Sequence, residues 1–235
     1  MKRSEINAVI RRFEAMLAEH CFELPPFLKF TPEEWETKGH EYDEIRDNQL
    51  GWDVTDYGMG DYAHLGLALI TLRNGNVHND KYTKCYAEKI IMCDEGQVSP
   101  MHFHWNKMED IINRGGGNIE FKLYNATEDE QLADTDVEIF QDGRRYTVPA
   151  GSVITLHPGE SLTLYPYYYH EFVIPQGGGS VLIGEVSMCN DDNTDNRFLE
   201  PLGRFPTIEE DEPPYRLLCT CLLYTSPSPR DTERS

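Results

Sequence analysis

The chain has 235 residues, 39% of them hydrophobic, enough to bury one substantial core and in the size range of one all-β domain with added segments. Its 41 acidic residues against 21 basic ones leave a formal charge of −20, which repels phosphate backbones and anionic lipid. Nucleic-acid and membrane-surface partners are therefore disfavoured, and a small neutral substrate is the easier ligand to accommodate.

From Ser4 to His20, the residues Ile6, Val9, Ile10, Phe13, Met16 and Leu17 recur at helical spacing behind Ser4 as N-cap, which predicts an amphipathic helix. Thr31, Pro32 and Glu34 form a second start signal, and Gly39 soon limits that helix. After the irregular stretch GWDVTDYGMGDYAHLG the pattern turns strand-like through LALITLRNG, CYAEKIIMC, GNIEFKLYN, RRYTVPAG, SVITLHPG, SLTLYPY, EFVIPQGG and SVLIGEVSM. Strands so closely punctuated by Gly, Asn, Asp and Pro indicate a sandwich or barrel. The expected organisation is a helical extension over 1–60 packed on a barrel over 61–212, with 213–235 as a tail. From Cys221 the run CLLYTSPSPRDTERS has no core periodicity and resembles a translated sequencing adapter, so it is read as non-native and kept out of the fold.

Cys21, Cys85, Cys93, Cys189, Cys219 and Cys221 form neither a disulfide framework nor a zinc-ribbon spacing, which fits a reducing cytoplasm. No apolar run approaches the roughly eighteen residues of a membrane span. The N-terminus is amphipathic and lacks the basic cap and apolar stretch of a signal peptide.

Chemistry concentrates in GQVSPMHFHWNKMEDIINRGG, residues 96–116. His102 and His104 alternate on one face of an extended strand, so both imidazoles can converge on one ion. Glu109 can join them after a turn over WNKM, and His170 in YPYYYHEF supplies a third imidazole. Three imidazoles and a carboxylate suit manganese, iron, zinc or nickel and leave positions open for substrate oxygens. An HxH pair alone is often a chance pairing, so the wider spacing decides. His20, His40, His64, His78 and His157 have no comparable partner spacing.

Gly96, His102, His104, Glu109 and Gly116 resemble the first motif of the cupin superfamily position by position. The second motif is degenerate: Gly159 is followed by Pro166, Tyr168 stands where a glycine is usual, His170 comes one residue early and Ile174 replaces an asparagine. The resemblance implies an all-β, jelly-roll-like cupin barrel with His102, His104, Glu109 and His170 around a metal. Nearly the whole chain up to Cys219 is similar to the cupin-type D-lyxose isomerases. The strings that carry this are MKRSEIN, KYTKCYAEKI, SPMHFHWNKMEDIINRGGG, YPYYYHEF and NDDNTDNRFLEPLGRFPTIEEDEPPYRLLC. That similarity implies a homodimer that uses manganese to interconvert D-lyxose and D-xylulose, with D-mannose and D-fructose slower. It also implies Glu200 as the base of a cis-enediol route. Lys107 in the motif loop and Lys89 on the preceding strand are candidates to donate to a sugar oxygen. Arg197 is a candidate to orient Glu200 or bind hydroxyls. Tyr167, Tyr168, Tyr169, Trp105, Phe103 and Phe172 are read as core. The motif leaves open an iron dioxygenase and a sugar-binding cupin without catalysis.

Overall fold

A computed structural model describes residues 1–225, so 226–235, most of the stretch read as non-native, lie outside the described residues. Helix α1 (Arg3–Glu19) is followed by thirteen strands: β1 (Gly51–Thr55), β2 (Leu67–Arg73), β3 (Tyr86–Cys93), β4 (Val98–Phe103), β5 (Glu109–Gly116), β6 (Ile119–Asn125), β7 (Val137–Gln141), β8 (Arg144–Val148), β9 (Val153–Leu156), β10 (Ser161–Leu164), β11 (Tyr168–Val173), β12 (Val181–Met188) and β13 (Arg197–Phe198). They form an eight-stranded sheet in the order β1-β2-β3-β12-β5-β10-β7-β8 and a five-stranded sheet in the order β13-β4-β11-β6-β9. Every named strand pair is antiparallel. This is the all-β cupin barrel with an N-terminal helical extension that the motifs imply. No helix among the described residues is long and apolar enough to cross a membrane.

The β1-β2-β3-β12 part of the larger sheet is buried on both faces, which explains the near-continuous apolar runs of those strands. Alternation divides each strand between two cores. Leu67, Leu69, Ile91, Cys93, Val181 and Ile183 point into the barrel against Ile119, Phe121, Leu123 and Phe172. Ala68, Ile70, Ile90, Met92 and Leu182 point out, under Ile6, Val9, Ile10, Phe13 and Leu17 of α1. By the same parity Lys89 on β3 and Glu185 on β12 point inward, directly opposite each other.

Three local expectations are revised. Helix α1 begins at Arg3, because Glu5 Oε2 accepts the Lys2 N–H at 2.7 Å while Ser4 bonds Asp211 through both its N–H and its hydroxyl. The stretch 1–60 is not purely helical: β1 lies within it, fully buried, and pairs with β2. Residues 213–225, set apart as a tail, pack on α1 and β1. There Tyr215 N donates to Asn7 Oδ1 at 2.8 Å, Leu218 bridges Trp52, and Leu218, Cys219 and Leu222 are buried. The second helix, Pro32–Trp35, is as short as Gly39 implied, with Thr31 and Glu34 closing a reciprocal cap.

Three bulges interrupt the described strand pairs: one skips Leu72 between β2 and β3, and two more shape the barrel. One lies between β4 and β11, where Pro100 and Met101 face the single Glu171, and Pro100 has no N–H to miss there. The other skips Arg114 between β5 and β12 and is filled by the fully buried Asn113. The Asn113 amide donates to the carbonyls of Gly117 (2.9 Å) and Leu156 (3.0 Å) and accepts the Gly115 N–H at 3.0 Å. Asn113→Ala leaves these groups unpaired and should cost about 3 kcal/mol. The check is a lower urea midpoint with an unchanged slope.

Candidate metal centre

His102 on β4 and His170 on β11 are register partners, their ring centroids 4.1 Å apart. His104 follows β4, with its ring 5.1 Å from that of His102, and one nitrogen from each of the three lies within 4.8 Å of the others. Glu109, first residue of β5, brings Oε1 to 3.4 Å from His104 Nε2 and 3.3 Å from His170 Nε2. Each outer nitrogen meets a main-chain carbonyl: Nδ1 of His102 at Pro100 (2.7 Å), of His104 at Asp195 (2.5 Å) and of His170 at Tyr168 (2.9 Å). Those carbonyls only accept, so Nδ1 carries the proton and the Nε2 lone pairs point inward. This donor set fits a divalent cation.

Electrostatics agree. Burial, followed by the neighbouring His170 and His104, holds His102 well below the usual imidazole range, and burial and then Lys107 lower His104. Both are therefore held neutral, as metal ligands must be. Burial alone would push the Glu109 carboxyl up, but the Lys107 ammonium and His104 hold it well below its ordinary value.

Behind the ligands lies a row of buried charge. Lys107 Nζ sits 2.7 Å from Glu109 Oε2 and 3.1 Å from Glu185 Oε1, and Lys89 Nζ is 3.3 Å from the same Glu185 oxygen. Burial opposes the charge on Lys107, yet Glu109 and Glu185 together raise its pKa. Asn190 Oδ1 accepts from both lysines, at 2.6 Å from Lys89 and 3.4 Å from Lys107. Arg204 Nη2 donates to Asp53 (2.7 Å) and Asp192 (3.0 Å), while its Nη1 is buried without a partner, and the residue lines the same cavity. Leu67, Leu69, Ile91, Phe172 and Phe198 supply the cavity's apolar wall.

The structure thus brings together His102, His104, Glu109, His170, Lys89 and Lys107 of the expected residues. Two others stand apart. On β13 Phe198 pairs with His102 and packs 5.4 Å from its ring, so by alternation Arg197 faces away, where its Nε donates to Glu130 Oε2 at 2.9 Å. Glu200, past the end of β13, is exposed and is not among the residues lining the cavity.

Sequence reasoning passed over Glu185, Asp192, Asp195 and Arg204. A signal existed for Glu185: an acid at inward parity in the otherwise apolar VLIGEV. Asp195 is buried and clamps the motif loop. Its carboxylate accepts the N–H groups of Asn106 and Lys107, both at 3.0 Å, while its carbonyl orients His104.

Comparison with known proteins places this geometry in context. Residues 1–221 match the model of the D-lyxose isomerase family. A D-lyxose/D-mannose isomerase of Serratia proteamaculans is 51% identical over 220 residues, 93% of this chain and 96% of that protein. One of Escherichia coli O157:H7 is 49% identical over 220 residues, 93% of this chain and 97% of that protein. The L-ribose isomerase of Geodermatophilus obscurus superposes with a TM-score of 0.61 at 14% identity, over 89% of this chain and 98% of its own, a likeness of fold alone.

His170→Ala should leave a folded barrel that binds an added divalent cation at least about 10-fold more weakly, read by metal analysis after dialysis. Metal-free protein should lose thermal stability as pH falls below about 6.5, because the unfolded chain then takes protons that buried His102 and His104 refuse. Melting curves of the metal-free protein at about pH 7.5 and pH 5.5 measure it.

Proposed function

The chain belongs to the D-lyxose isomerase family, and on that premise we propose that this aldose–ketose isomerase interconverts D-lyxose and D-xylulose, with D-mannose and D-fructose as slower partners. The observation that carries the reading is a single cavity in which inward-facing imidazole nitrogens and Glu109 lie beside a buried carboxylate flanked by lysines. Family membership sets aside the oxygen-consuming and purely sugar-binding alternatives. The homodimer and manganese expected from the resemblance are part of the same proposal.

His102, His104, Glu109 and His170 would hold the metal, which when bound polarises neighbouring sugar oxygens and steadies negative charge developing on them. The remaining work falls to the chain's own groups. Isomerisation moves hydrogen between C1 and C2, so a base must lie beside the carbon chain. Glu185 takes this role: its carboxylate is buried in the cavity wall, whereas Glu200 is exposed beyond it. Lys107, kept charged by Glu109 and Glu185, donates to the oxygen on which charge builds, as an oxyanion donor does. Lys89 holds Glu185 from the other side. The free Nη1 of Arg204 is a preset donor for a sugar hydroxyl, replacing Arg197 in the substrate role. The apolar wall limits water around the proton on its way between carbons, so that only part of it exchanges with solvent.

Metal-stripped protein reconstituted with manganese under anaerobic conditions should form ketose from D-lyxose faster than from D-mannose. Glu185→Gln should lower kcat by about 100- to 10,000-fold and abolish exchange of the C2 hydrogen with solvent, with metal content unchanged. Glu200→Gln should stay within about 2-fold of wild type, an effect under 0.5 kcal/mol. Normal exchange in Glu185→Gln would remove Glu185 from the proton path.

A further inference from the structure

We propose that Cys85 and Cys189 form a reversible disulfide site, closed by small-molecule disulfides and coupled through Asn190 to the lysines of the cavity. β3 and β12 run antiparallel with Met188 opposite Tyr86, and continuing that register by one residue sets Cys189 opposite Cys85. Opposed residues on such a ladder send side chains to one face with Cα atoms about 4.5 to 5.5 Å apart, within the span a disulfide bridges. The Cys189 thiol donates at 3.0 Å to the Lys84 carbonyl, the group joined to the Cys85 amide nitrogen. This close approach requires Gly75, where a Cβ would fall 1.8 Å from the Lys84 oxygen and 2.4 Å from the Cys189 sulfur. Both thiols are free, Cys85 exposed and Cys189 half-buried.

The exposed thiol is the point of attack, since burial pushes the Cys189 thiol up. The Cys85 thiolate attacks one sulfur of a small disulfide, and the other sulfur leaves as a thiolate. The Cys189 thiolate then attacks the Cys85 sulfur and displaces the second small thiolate. Two protein thiols are oxidised, one small disulfide is reduced to two thiols, and solvent takes up and returns the protons.

Asn190 follows Cys189 directly. Its main chain is gripped by Asn74, which accepts the Asn190 N–H at 2.9 Å and donates to its carbonyl at 2.9 Å, while its side chain accepts from Lys89 and Lys107. Drawing Cys189 from the Lys84 carbonyl toward Cys85 shifts the residue that positions both ammonium groups. The linkage stands apart from the proposed reaction, and only its effect on turnover rests on that reading.

Full-length reduced protein is incubated with oxidised glutathione, its remaining thiols are alkylated, and peptides are mapped by mass. The expected result is a Cys85–Cys189 peptide, with kcat/KM lowered about 10-fold and restored by dithiothreitol, the scale of a sub-ångström misplacement of catalytic groups. Cys85→Ser should keep the activity of reduced wild type and no longer respond. Both cysteines still alkylated, separate glutathione adducts without a link, or a linked pair with unchanged kcat/KM would each overturn the proposal. The linked peptide is detected without a sugar assay, so failure of the isomerase reading is told apart from failure of this one.

Discussion

The structure turns on a set of charges buried inside the barrel. Lys89, Lys107 and Arg204 face Glu109, Glu185, Asp192 and Asp53, each within salt-bridge distance of at least one opposite charge. Removing one partner of such a buried pair typically costs about 3 to 5 kcal/mol, because the other is left uncompensated in a low dielectric. The groups therefore constrain one another's positions. Three cations against four carboxylates leave one excess negative charge beside inward imidazole lone pairs, a balance that favours a divalent cation. Arg204 and Lys89 draw Asp192 well below the ordinary carboxyl range, against the opposing effect of burial, so it remains charged.

Much of the remaining architecture serves to hold that set. The larger sheet needs a hydrophobic cover outside so that its inner face can carry polar groups, and α1 provides it through Phe13, which meets Trp52 edge-on at 5.7 Å. The segment carrying Asp192, Asp195 and Arg204 closes the opposite side. Asp195 fixes the loop between β4 and β5, so the spacing from His104 to Glu109 becomes a defined turn and not a slack connection. Next to Tyr168, which stands where the second motif usually has glycine, Tyr167 adopts the left-handed conformation at φ +63°, and its N–H donates to the His104 carbonyl at 2.9 Å. That bond and the stacking of Tyr167 on Phe103 at 5.2 Å offset a backbone cost of about 1 to 2 kcal/mol.

Hydrogen bonds connect the cavity to the end of the sheet. β2, β3 and β12 finish near Asn74, Cys85 and Cys189, and Asn190 links that end to the two lysines. Lys107, one of those lysines, contacts both Glu109 and Glu185, and Lys89 contacts Glu185.

Sequence alone determined what depends on near neighbours along the chain. The apolar positions of α1 repeat at helical spacing, the inward parity of β2, β3 and β12 follows from alternation, and the spacing of His102, His104 and Glu109 singled out the centre. Tertiary structure alone decided what depends on pairing across the chain. The two residues of β13 could face either way until pairing with β4 turned Phe198 to His102 and Arg197 to Glu130. The segment after β12 offered several acids and arginines in one run, and only its packing put Asp192 and Arg204 in the cavity wall and Asp195 against the motif loop, with Arg197 and Glu200 outside the cavity lining. Side-chain direction on so short a strand has no local period to set it, so long-range register decides.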